Sequence, residues 1–141
     1  VMSAGSGIRH AEYNLEPVPT KIFQIWIMPT QQGGQPTWGA KPFPKADRSG
    51  RFVALASGIA GDGDALPIRA HARVLGATLK AGETIDYAPL SGLNTYLVPA
   101  TGAVEVNGLR LATRDGAAIS DEPTLTITAL EDSELVLVDA A

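Results

Sequence analysis

The chain has no cysteine and only two histidines, His10 and His71, among its 141 residues. Without cysteine there are no disulfides, no thiolate nucleophile and no Cys-based zinc site, and a cytoplasmic location is expected. No apolar run approaches the roughly 20 residues of a membrane helix. The longest, Ile22–Pro29, is broken by Gln24 and suits a buried strand, so no membrane association is expected. The segment from Val1 to His10 is polar and glycine-rich, which is not the pattern of a signal peptide. A glycine-rich phosphate loop, a nucleophile elbow and an HExxH helix are all missing. Helix signals are scarce too. Ten prolines and fifteen glycines punctuate the chain, and no window sustains a 3.6-residue apolar period.

Basic residues are in short supply at one end. The formal net charge is −4, which argues against direct nucleic-acid binding. From Asp115 to Ala141 there are seven acids and no Lys or Arg, against eight acids and eleven bases before Asp115. This reads as a solvated acidic carboxyl end, with a docking surface for a basic partner as the alternative.

What is present suits a globular all-β protein. Hydrophobic residues make up 45% and charged residues 18% of the chain, enough for one compact core. Strand-like runs recur at Lys21–Met28, Arg51–Ala56, Ala72–Leu79, Glu83–Tyr87, Thr95–Val98, Ala103–Val106, Leu109–Ala112, Ala117–Ser120, Leu125–Ala129 and Glu134–Val138. Turn residues bound each run at the spacing of a sandwich or barrel. Asn107-Gly108 between Val104–Val106 and Leu109–Leu111 predicts a type I′ hairpin, because both turn positions need φ > 0. Val104, Val106, Leu109 and Leu111 are then expected to face the core.

The organisation is uneven. Residues 30–50 read as a connector, pinned to a neighbouring surface by Trp38 and Phe43. About nine strands follow, enough for a complete barrel over residues 46–141. Before the connector lie two strand candidates separated by the loop Asn14–Thr20, and two strands cannot bury their own faces. They must join the later barrel, pair with another copy, or belong to a longer protein. The chain opens at Val1 inside a strand-like segment, which favours the last of these, with residues 1–45 as the remnant of another unit.

One constellation could carry chemistry. In Gly5-Ser6-Gly7-Ile8-Arg9-His10-Ala11-Glu12-Tyr13-Asn14, an extended backbone puts His10 and Glu12 on one face. Imidazole and carboxylate together can supply two ligands to Fe(II), Mn(II), Ni(II) or Zn(II). The same pair also reads as a surface salt bridge. Arg9 and Tyr13 are expected on the opposite face, His71 at a turn or hydrogen-bonded in the core, Trp26 in the core, and Asp121-Glu122-Pro123 in an acidic turn.

The stretch from Val1 to Asn14 resembles the signature of pirin-like bicupins, which ends His-Ser-Glu-Tyr/Phe-Asn. Phe23-Gln24-Ile25-Trp26-Ile27-Met28-Pro29 is similar to the strand that follows in that family. Val104–Gly108 and Asp115–Glu122 are similar to its carboxyl-terminal cupin. Ala11 stands where Ser is usual, and Pro99 interrupts a strand that normally continues, which predicts a bulge or an early end. The resemblance implies a cupin (RmlC-like jelly-roll) antiparallel barrel over residues 46–141, with extra amino-terminal strands from an incomplete metal-binding cupin. It implies a mononuclear divalent metal held by three histidines and a glutamate, iron first, with nickel, manganese, zinc or copper as alternatives. His10 and Glu12 match the third histidine and the glutamate. The other two histidines would precede Val1, so the chain alone is expected to hold no metal and to be inactive. Two functions follow from the resemblance: a quercetin 2,3-dioxygenase-like enzyme acting on a flavonoid-like molecule, with Glu12 as a catalytic base, or a regulatory protein working through protein contacts. The apolar residues within 1–29 predict a homo-oligomer.

Overall fold

A computed structural model describes all residues, Val1–Ala141. It is built of strands, with one short 3₁₀ turn at Lys45–Arg48. No helix is long and apolar enough to cross a membrane. In chain order the strands are β1 (Met2–Ser3), β2 (Thr37–Trp38), β3 (Val53–Ser57), β4 (Leu66–Pro67), β5 (Ala72–Leu79) and β6 (Thr84–Tyr87). They continue as β7 (Asn94–Thr101), β8 (Val104–Val106), β9 (Leu109–Leu111), β10 (Ala117–Ile119), β11 (Leu125–Ala129) and β12 (Ser133–Ala140). A six-stranded sheet of order β10-β7-β12-β5-β3-β4 packs against a four-stranded sheet of order β6-β11-β8-β9. All pairings are antiparallel except the short β3–β4 contact.

Every strand expected after residue 50 forms. β12 shows the period that builds the core: Ser133, Leu135, Leu137 and Asp139 are buried while the residues between them are half-covered. Its ladders align it with both neighbours, so the inward residues form lateral rows. Leu135 lies between Ala77 and Pro99, and Leu137 between Leu75 and Leu97. Facing them are Leu125, Ile127 and Ala129 of β11 with Val104 and Val106 of β8. Leu97, Leu135, Leu137 and Ile127 are fully excluded from solvent. Each such side chain contributes about 1.5–3 kcal/mol by leaving water.

The Asn107-Gly108 turn has φ of 47° and 85°, as a type I′ hairpin needs. The Asn107 side chain also donates to the carbonyl of Thr124 and accepts from the amide of Thr126, tying the turn to β11. Val104, Val106 and Leu111 are buried as expected, but Leu109 is 56% exposed. It sits on the edge strand of the four-stranded sheet, outside the cover that closes over its partner Val106. At Pro99, β7 bulges. Thr101 pairs with Glu134 and Pro99 with Leu135, so Ala100 is the extra residue.

The amino-terminal segment departs further from expectation. Lys21–Met28 forms no strand, and Trp26 is 88% exposed rather than core. No other segment of the chain lies alongside it to complete a ladder. The two-residue β1 pairs instead with β2. Trp38 is also exposed and pins nothing. Lys45 and Arg48 fix the connector by pairing with Glu134 of β12, and the amide of Gly50 donates to the carbonyl of Thr78. The acidic carboxyl end is therefore not uniformly solvated. Glu134 and Asp132 are paired to bases from earlier in the chain, and Asp139 is buried.

Candidate functional site

His10 and Glu12 lie in an extended segment that belongs to no sheet. Upstream, Gly5 turns the chain at φ 55°, and a Cβ there would meet the carbonyl oxygen of Gly34 at 2.4 Å. That close approach lets the amide of Ser6 donate to the same carbonyl at 2.9 Å. Downstream, Asn14 organises the following loop. Its side-chain oxygen accepts from the amide of Glu16 and the hydroxyl of Thr20, and its amide donates to the carbonyl of Val18. Between these two anchors the i, i+2 spacing brings His10 Nε2 to 3.4 Å from Glu12 Oε1.

Both side chains remain open to solvent, at 40% and 56% exposure. Metal bonds of about 2.0–2.2 Å at near-right angles put adjacent donor atoms about 3 Å apart, so this pair fits as two neighbouring ligands. No third His, Asp or Glu joins them. His71 is exposed at a bend just before β5, in keeping with the turn reading.

A second polar cluster went unnoticed in the sequence. One row beyond Leu75, Leu137 and Leu97, the inward residues are Arg73, Asp139 and Thr95, directly opposite one another across β5, β12 and β7. Asp139 is wholly buried. It accepts from Arg73 Nε at 3.1 Å, from Thr95 Oγ1 at 2.6 Å, and from the hydroxyl of Tyr87 on the opposite sheet. Arg73 Nη2 donates to that same hydroxyl at 2.6 Å. Burial, and then the neighbouring Asp139 carboxylate, push the Tyr87 phenol well above its ordinary value and keep it protonated. Phe52 packs edge-on against Tyr87 with ring centroids 5.1 Å apart. Arg73 and Tyr87 of this cluster, together with Phe52, line an open cavity of about 530 Å³ between β3 and β5 of one sheet and β6 of the other.

Residues 54–140 match the quercetinase C-terminal cupin domain. Over all 141 residues the chain is 72% identical to a pirin-like protein of Caulobacter vibrioides, covering 61% of that protein. It is 34% identical to a quercetin 2,3-dioxygenase of Escherichia coli K12 over 99% of this chain and 59% of the relative. The chain thus spans about three fifths of the length of the curated relatives it matches. Among solved structures, Escherichia coli YhhW superposes with a TM-score of 0.74 at 28% identity, over 82% of this chain and 48% of that one. A nickel(II) complex of the same bacterial pirin superposes with a TM-score of 0.73.

Proposed function

The chain belongs to the pirin family, and on that premise we propose that His10 and Glu12 are two ligands of a mononuclear divalent metal centre in the intact protein. The intact protein then carries quercetin 2,3-dioxygenase-type activity. The observation that carries this reading is the 3.4 Å approach of an imidazole nitrogen to a carboxylate oxygen on one solvent-open face. The nickel(II) complex of YhhW and the name of the Escherichia coli relative support it. When bound, the metal supplies Lewis acidity toward a substrate oxygen. His10 and Glu12 would hold the metal, and the Glu12 carboxylate would accept the hydroxyl proton of a flavonol-like substrate. Residues 46–141 act as the metal-free cupin that backs this centre.

Two donors hold a metal weakly, so the chain by itself depends on donors from outside it. The test is metal retention in the intact protein after dialysis against Ni(II) or Fe(II), with flavonol consumption measured in parallel. His10→Ala and Glu12→Gln are expected to lose the metal and the activity together. Full metal content in the double variant would overturn the assignment.

A separate observation supports a reading through contacts. Tyr13, Leu15, Ile22, Trp26 and Met28 are all largely exposed, which leaves residues 1–29 with an apolar surface to cover. In this reading the segment docks on a second copy or another protein, and the protein works as a regulator rather than an enzyme. Intact protein that retains metal but consumes no flavonol would favour it.

A further inference from the structure

The cavity beside Asp139 is built from residues 50–87 and shares none with the His10–Glu12 segment. Its polar floor needs an explanation. A buried ion pair is often no more stabilising than apolar side chains of the same shape. Here the apolar rows end one step short, and of the polar row only Arg73 reaches the cavity, with Asp139 and Thr95 buried behind it.

Arg73 is held by two of its nitrogens: Nε on Asp139 and Nη2 on Tyr87. Its Nη1 has no partner in the chain and is not buried, so it is offered to the cavity that Arg73 lines. A guanidinium fixed in this way is a preorganised donor edge. The rim supplies acceptors. Asp62 uses Oδ2 for the Ser57 hydroxyl, and Asp86 uses Oδ1 for the Thr126 hydroxyl, which leaves one oxygen of each. Asp139 already offsets Arg73, and Arg51 stands against Asp62 and Asp86, so the lining has no excess positive charge to draw a free anion. Hydroxyl groups, which both donate and accept, satisfy such a mixed lining. Phe52, Leu75 and Ile85 supply apolar walls for a ring, and the volume lies within the range of about 300–1,000 Å³ for small-molecule sites.

We propose that this cavity is a second ligand site, in the metal-free cupin, for a small neutral hydroxylated ring, either a monosaccharide or a phenol. The test is a titration of the ¹⁵N-labelled chain with methyl β-glucopyranoside, catechol and benzoate in separate arms. Binding is followed at the Arg73 Nε–H signal and the amides of Thr84–Tyr87. Saturable shifts from one or both neutral ligands are expected, and the responding arm separates sugar from phenol. Arg73→Lys, which keeps the charge beside Asp139, is expected to weaken binding about tenfold or more. Phe52→Leu leaves the polar row intact and is expected to weaken the same ligand, so the proposal survives a folding defect in the first variant. A response to benzoate alone overturns the neutral-ligand assignment. No saturable shift in any arm, or equal affinity in both variants, overturns the site.

Discussion

Replacing Asp139 by Ala removes a carboxylate with no solvent exposure that accepts from Arg73, Tyr87 and Thr95. The lost bonds are the smaller part of the cost. Arg73, whose side chain is only 15% exposed, would be left without its counter-charge, and an uncompensated buried charge costs about 3–5 kcal/mol. Asp139→Asn keeps one acceptor oxygen but loses the ion pair, at a cost of about 1.5–3 kcal/mol. The discriminating variant is the pair Arg73→Met with Asp139→Leu. It removes both charges together, so it should cost much less than the sum of the two single changes, with a coupling energy of about 1–3 kcal/mol. Urea unfolding followed by circular dichroism gives each value, with the slope m checked for constancy. Additive costs in the double variant, or an Asp139→Ala penalty below about 1 kcal/mol, would show that the row is solvated in solution.

Tyr87 should give the fold an alkaline limit. Its folded-state phenol is held above the ordinary 10.0, so its contribution is complete below pH 10 and is lost as pH climbs toward the raised value. Tyr87→Phe should flatten the fall in urea midpoint across that window, and equal slopes in the two proteins would contradict the assignment. Gly108→Val should cost about 1–3 kcal/mol through φ strain alone, because no atom lies within 4 Å of the Cβ position. An unchanged melting midpoint would mean that the turn relaxes without penalty. Light scattering at micromolar concentration should show a dimer or larger assembly of the chain, which Trp26→Ser with Met28→Ser shifts toward monomer. A monomer at the outset contradicts docking through residues 1–29.

The strands after residue 50 were legible because local turn chemistry marks their ends. Asn107-Gly108 is the clearest case, and Gly82, Gly92 and Gly102 also adopt positive φ at strand junctions. Their boundaries moved by only a few residues, inward by one at β6, β8, β9 and β10 and outward at β7 and β12, where ladder partners carry the backbone past the apolar run. Lys21–Met28 failed for the complementary reason. Its apolar pattern suits a strand, but a strand is completed by a neighbour, and apolar content does not say whether one is in reach. Leu109 obeys the same logic one level down. Alternation put it on the side of Val106, while its place at the sheet edge decided its exposure.

The two polar sites differ in how sequence encodes them. His10 and Glu12 are two residues apart, so extended geometry alone brings them together at 3.4 Å. Arg73, Tyr87, Thr95 and Asp139 come from four strands, and counted by composition Asp139 is one more acid in an acidic carboxyl end. A weaker signal was there. Stepping two residues from Leu137 reaches Asp139, from Leu75 reaches Arg73, and from Leu97 reaches Thr95, so three inward rows each end in a polar residue. Taken one strand at a time, each is an ordinary terminus turning to solvent. Only the ladders, which place Asp139 opposite both Arg73 and Thr95, turn three unremarkable ends into one buried network. A burial penalty shared among partners far apart in sequence is invisible to residue-by-residue reading. A charge standing in the inward register of a core strand is therefore the pattern that marks such a network.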